Sequence, residues 1–210
     1  ADLQELARTV PESALSAQAV PRYAREIDSV LRSNLTNFPE LSGFRVFDAN
    51  GAWLYPSAGD IATGQKTNIA EREYYRLLRE HPRLDLVFSE VLVAHTSGRQ
   101  TIVIARSLRD ARGVFRGVAL AMLDLDHFQR LFQSLNIGAG GIVALYRTDD
   151  FSRVVRWPPS DGALNQKLPP DSPTRAALAP GVRTATLNIS SAADGMVRIY
   201  QLADNKLLRT

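Results

Sequence analysis

The chain has 210 residues, enough for one large domain or two small ones, and its 45% hydrophobic and 22% charged residues are those of a globular protein. With no cysteine it can form no disulfide, no thiolate zinc site and no cysteine nucleophile, a composition that suits an oxidising compartment. The net charge of +3 is spread over arginines interleaved with acids instead of gathered in a run, so no nucleic-acid partner is expected.

No charged segment followed by an apolar run opens the chain, so Ala1 reads as a processed end or a domain boundary. Val20, Tyr23, Ile27, Val30, Leu31, Leu35 and Phe38 step by three and four, which predicts an amphipathic helix of about four turns with Pro21 in its first turn. Leu3, Leu6 and Val10 have the same period, but Pro11 and Pro21 each remove a backbone donor and should break any continuous rod. The period then changes to that of strands. Phe44 to Ala49 and Ala52 to Ser57 flank Asn50-Gly51, a strong hairpin signature. After a loop with Gly59 and Gly64, Asn68 and Glu71 resemble a capping box, and Pro82 closes the helix that Asn68 is expected to open.

Leu86 to Ala94, Thr101 to Leu108 and Val114 to Asp124 are strand candidates joined by short turns, which implies an antiparallel meander. The longest unbroken apolar run, Val118 to Leu123, is far below the roughly 20 residues that cross a bilayer, so any membrane tether is expected outside these residues. Asp124 or Asp126 caps a further helix with the face Phe128, Leu131, Phe132 and Leu135, ended by Asn136 and Gly138. The plan then repeats in reduced form. Gly141 to Arg147 and Ser152 to Trp157 make a hairpin around Asp149-Asp150, a short helix lies near Thr174 to Leu178, and strands run from Val182 to Ile189 and Met196 to Leu202. Ala193-Asp194-Gly195 joins the last two, and a truncated strand starts at Lys206.

In this order the motifs resemble the double Cache sensor family, which lies between the two membrane spans of bacterial receptor kinases, diguanylate cyclases and chemoreceptors. The hairpin Phe47 to Gly51 is similar to the family's opening strand pair, and Glu71-Arg72-Glu73-Tyr74-Tyr75 resembles its arginine-x-aromatic-aromatic helix. Ser97-Gly98 through Ile104-Ala105-Arg106 and Gly113 to Val118 resemble the strands that finish the membrane-distal unit. Leu123 to Phe128, Gly140-Gly141 and Asp194 to Tyr200 resemble the crossing into the membrane-proximal unit and its late strand. The resemblance implies an α+β fold: a long N-terminal helix along both units, followed by two PAS-like antiparallel-sheet units. The expected boundaries are 1–40 for the helical region, 41–135 for the membrane-distal unit with its connecting helix, and 136–210 for a membrane-proximal unit truncated at its C-terminus.

It further implies a periplasmic sensor segment of an inner-membrane receptor, a homodimer in the intact protein and a small-molecule ligand in the distal unit. Asp124 to Phe128 is nearest in pattern to the diguanylate cyclase branch; a cyclase or histidine kinase output would lie outside this chain.

The expected pocket is lined by Arg72, Tyr74, Tyr75, Leu92, Arg106 and Met122, with His95 at its edge. Arg72 and Tyr75 are three apart and would share a face of a helix starting at Asn68, while Tyr74 leans toward Leu77 and Leu78. A guanidinium fork with phenol hydroxyls is equipped to hold a carboxylate in an apolar pocket. The alternative makes Tyr74 core and Arg72 a solvated charge paired with Glu71 or Glu73.

The family's amino-acid-binding subset adds a tyrosine and two aspartates that hold the ligand's ammonium group. Here Leu92, Ala94 and Met122 stand at those positions, and an ammonium buried without a counter-ion costs several kcal/mol. A small carboxylate or other anion is therefore expected, not an α-amino acid. His95 either edges the pocket mouth or is an exposed turn residue.

The three histidines, His81, His95 and His127, have no metal-site spacing with nearby acids, and no cofactor motif appears. Asp124 and Asp126 would need a special turn to converge as a general acid and base, so the segment is not expected to be an enzyme, although α/β domains host many activities and a hydrolase is kept as a third reading. A second, non-enzymatic reading is a dimerisation or protein-interaction domain with a vestigial pocket. An apolar stripe left exposed on the first helix would favour it.

Overall fold

The computed structural model of the chain describes residues 3–56, 67–94, 97–160, 162, 165–177, 184–190 and 197–203. His95, the loop glycines Gly59 and Gly64, the Asp194-Gly195 turn and the strand expected from Lys206 lie outside the described residues. The chain divides into two compact units, Ala1–Val143 and Ala144–Thr210.

In the first unit Pro11 and Pro21 act as expected. The N-terminal region is a short helix α1 (Leu3–Thr9), two 3-10 turns and a longer helix α2 (Val20–Thr36) with proline in its first turn, so it is not one continuous long helix. The strands β1 (Leu41–Asp48), β2 (Trp53–Pro56), β3 (Leu86–Val93), β4 (Gln100–Arg109) and β5 (Phe115–Asp124) form one sheet in the order β2-β1-β5-β4-β3, and each neighbouring pair runs antiparallel.

Side chains alternate across this sheet, so it carries two separate cores. Phe44, Val46, Leu108, Ala119 and Ala121 face the N-terminal helices, where they meet Ile27 and Leu31 of α2 together with Leu3, Val10 and Ala14. Burying each such leucine or isoleucine stabilises by about 1.5–3 kcal/mol. The buried Tyr55 hydroxyl donates to the Ala14 carbonyl at 2.8 Å, which fastens the turn before α2 to the sheet edge. Phe47, Val103, Ala105, Val118, Leu120 and Met122 face the other way, against Tyr74, Tyr75 and Leu78 of helix α3 (Glu73–Glu80).

Helix α3 starts later than the capping-box reading predicts. The Asn68 side chain accepts from the Ala70 amide at 2.7 Å and donates to the Asn50 carbonyl at 3.1 Å, and its backbone bridges to Ala52. Asn68 is thus committed to holding the Asn50-Gly51 turn, and Arg72, in an extended conformation, takes the N-cap position. Gly51 is needed in that turn: its φ is +74°, and a Cβ there would lie 2.7 Å from the Ala70 nitrogen. At the far end of the helix, Arg109 donates to the Leu78 carbonyl at 2.6 Å and to the Gly113 carbonyl at 3.2 Å. Asp124 caps α4 (Leu125–Ser134) by accepting from the Asp126 amide at 3.0 Å, which selects the first of the two candidate caps.

From Val143, the last residue of the first unit, onward, the described residues form a strand pair β6 (Val143–Tyr146) and β7 (Arg153–Trp157), a short helix α5 (Pro173–Ala177), and an antiparallel pair β8 (Thr184–Ser190) and β9 (Val197–Ala203). The molecule is α+β, with N-terminal helices followed by antiparallel sheets.

Where Gly117 passes Phe47, an added Cβ would sit 2.1 Å from the Phe47 carbonyl oxygen. Gly117→Ala is expected to cost about 1–3 kcal/mol, read from the urea midpoint at unchanged slope.

The β4–β5 turn is held by Asp110, whose buried carboxylate accepts from the Val114 and Arg112 amides at 2.9 Å each and from Arg116 at 2.8 Å, while Arg116 also reaches Glu12 at 3.2 Å. These bonds, the Val114 amide first, hold the Asp110 pKa below its ordinary value. The stability this adds is complete above the unfolded carboxylate value, about 3.9, and is lost as pH falls through the lower folded value. Asp110→Asn is expected to destabilise the fold at pH 7, with the gap to wild type narrowing below about pH 4 in urea titrations.

Candidate functional site

Between the sheet and the first turn of α3 lies a cavity of about 30 Å³, room for roughly two waters. Strand alternation places Arg45 and Phe47 of β1, Leu120 and Met122 of β5 and Val103 of β4 on its wall. Arg72 and Tyr74 close it from the helix side, Thr67 and Ile69 from the segment before, and Leu92 and Ala94 from β3 and its end. The described lining residues are apolar except for two arginines, one tyrosine and one threonine, and they include no acid.

The two arginines are held differently. Arg72 is partly exposed and its Nε lies 3.5 Å from a carboxylate oxygen of Glu71, on the solvent side. Arg45 is buried, 8% exposed, with its guanidinium carbon 5.1 Å from the centroid of the Trp53 ring, which itself stacks on Phe47 at 6.3 Å. Tyr74 sits between their fields. Burial pushes its pKa up to about 12 while Arg72 and Arg45 pull it the other way, so its hydroxyl is a neutral donor at any physiological pH.

The structure brings Arg72, Tyr74, Leu92 and Met122 of the expected site together, along with Ala94. It does not bring Tyr75 there. Because α3 begins after Arg72, the helical spacing that would set Arg72 beside Tyr75 does not exist; the Tyr75 hydroxyl donates to the Ala49 carbonyl at 2.7 Å and its ring meets Phe115 edge-on at 5.7 Å. Arg106 is likewise not on the cavity. It shares strand parity with Ile104 and Leu108, which face the N-terminal helices, and it pairs with Asp85. His95 lies outside the described residues.

Arg45 is the residue that the sequence motifs do not reveal. Its one signal is an arginine in a strand whose neighbours Phe44, Val46 and Phe47 are all core. Thr67 carries no signal. Among the described residues no group of three or more histidines and carboxylates could hold a metal ion.

No protein-family model matches the chain. No curated protein matches it either. Solved structures do. The chain is similar to the extracellular domain of rpHK1S-Z16, a protein assigned as a histidine kinase, at 20% identity and a TM-score of 0.69, covering 94% of this chain and 83% of that one. It is similar to the ligand-binding domain of the Pseudomonas aeruginosa amino-acid chemoreceptor PctC in complex with GABA, at 18% identity and a TM-score of 0.56 over 90% of this chain and 76% of that one. It is also similar to the ligand-binding domain of the Pseudomonas fluorescens chemoreceptor CtaA in complex with L-serine, at 17% identity and a TM-score of 0.50 over 94% and 79%. The chain therefore has the fold of Cache-type extracellular sensor domains. No helix among the described residues is long and apolar enough to cross a membrane.

Tyr75→Phe removes a hydrogen bond but no cavity wall. Chemical unfolding should show a loss of about 1 kcal/mol, and any ligand affinity should stay within about twofold.

Proposed function

We propose that this chain is the extracytoplasmic ligand-sensing segment of a membrane receptor and that its first unit binds a small carboxylate or other small anion. The observation that carries the reading is a cavity lined by Arg72 and by Tyr74, whose phenol stays neutral, among residues that are otherwise mostly apolar. Arg72 would take the anion, Tyr74 would donate to it, and Leu92, Ala94 and Met122 would limit the size of the rest of the ligand.

GABA and L-serine, bound by two of the structural neighbours, both carry a carboxylate and an ammonium. The carboxylate has a counterpart here in Arg72. The ammonium has none among the described lining residues, which disfavours α-amino acids.

The two-unit organisation, with the helical region to residue 40, a distal unit to 135 and a proximal unit from 136, is part of the same reading, as are a homodimer and a cyclase or kinase output in the intact receptor. The reading as a pure interaction domain loses its main support, because Ile27 and Leu31 are buried and Val20, Tyr23, Val30 and Leu35 pack against the same core.

A thermal-shift screen with small carboxylates, inorganic anions, amines and amino acids tests this. A ligand at a hundred times its Kd stabilises by about 2.7 kcal/mol, several degrees of Tm. A carboxylate or anion response that Arg72→Ala weakens by about tenfold or more is expected. Micromolar binding of a free amino acid by isothermal titration, or silence across the anion panel, would refute it.

A further inference from the structure

Two arginines line the cavity, and the motif that suggested a carboxylate site accounts for only one. Arg72 enters from the N-cap of α3 and Arg45 from β1, opposite Leu120 of β5. Both act on the Tyr74 hydroxyl, so both fields reach the same small volume. The Trp53 ring at 5.1 Å supplies a π face to the Arg45 guanidinium. The rest of Arg45's side chain is held among core residues, so this charge is fixed in place.

Resting on the anion-site reading above, we infer that Arg45 is a second anion-binding residue and that the cavity selects a compact dianion over a monoanion of the same size. One negative group lies on Arg72 and Tyr74, and the second lies on Arg45. The chemistry is that of a two- or three-carbon dicarboxylate or a divalent oxyanion. A zwitterion is excluded twice over, since its ammonium would face Arg45 as well as Met122 and Leu92. The existing space of about 30 Å³ is smaller than malonate or sulfate, so binding has to move Met122 or Leu92 aside, and a longer dicarboxylate has to move them further.

Isothermal titration of the whole chain tests this with malonate, oxalate and sulfate against malonamate, acetate and nitrate. Malonate is expected to bind about tenfold tighter than malonamate, its monoamide, which keeps the number of heavy atoms and removes one charge, or sulfate about tenfold tighter than nitrate. Whichever pair shows the preference says whether the dianion is organic or inorganic. Arg45→Gln should reduce that preference to about twofold while leaving acetate within about threefold of wild type, whereas Arg72→Gln should weaken both. Arg45→Lys, which keeps a charge should the glutamine variant not fold, should retain a preference above about threefold.

Equal affinities within the wild-type pairs would overturn the assignment of Arg45 while leaving the anion site standing. An Arg45→Gln variant that loses acetate and malonate alike would overturn it too. If no anion binds the wild type, the sensor reading fails and this inference fails with it.

Discussion

The pairing of β1 with β5 is the constraint on which the rest of the first unit depends. It joins Leu41–Asp48 to Phe115–Asp124 across some seventy residues of sequence, and by fixing the register Arg45 to Leu120 and Phe47 to Val118 it decides which face each side chain takes. A slip of β1 by one residue would send Arg45 and Phe47 to the helix side and Phe44 and Val46 into the cavity. Gly117 marks the place where the two backbones come too close for any other residue, and so pins the register.

That register produces two cores with different characters. The face under the N-terminal helices is mostly aliphatic, with Leu31 and Val46 fully buried beside Phe44 and Tyr55. The face under α3 is built from larger aromatic groups that cannot interdigitate completely, and the gap left between Phe47, Tyr74 and Met122 is where the arginines enter. Charge is tolerated there because each guanidinium has company: Trp53 for Arg45, Glu71 for Arg72.

Much of this is legible in the residues. The strand and helix periods, the Asn50-Gly51 turn and the proline breaks are local, and local patterns place elements well. Arg72, Tyr74, Leu92 and Met122 come from a resemblance in motif order. The features that escape a linear reading are relational. Asn68 looks like a helix cap, yet its side chain is drawn to the hairpin eighteen residues earlier, a tertiary bond no local pattern contains. The misplacement of Tyr75 is a consequence of that bond. Arg106 and Arg45 escape for a simpler reason: strand parity sets Arg106 with Ile104 and Leu108 along β4, and Arg45 with Phe47 along β1, but the pattern is usually traced through apolar residues and not through charged ones.

The sheet is a partition only one strand thick. Met122 stands on one side and Ala121, its immediate neighbour in β5, on the other, so no displacement of the strand can be private to the cavity. Ala119 and Ala121 have no side chain long enough to absorb such a movement before it reaches the packed helices. A wall made of alanine at its centre behaves less like a cushion than like a drumhead, and the tyrosine bond from β2 to the Ala14 carbonyl makes the N-terminal segment part of its frame.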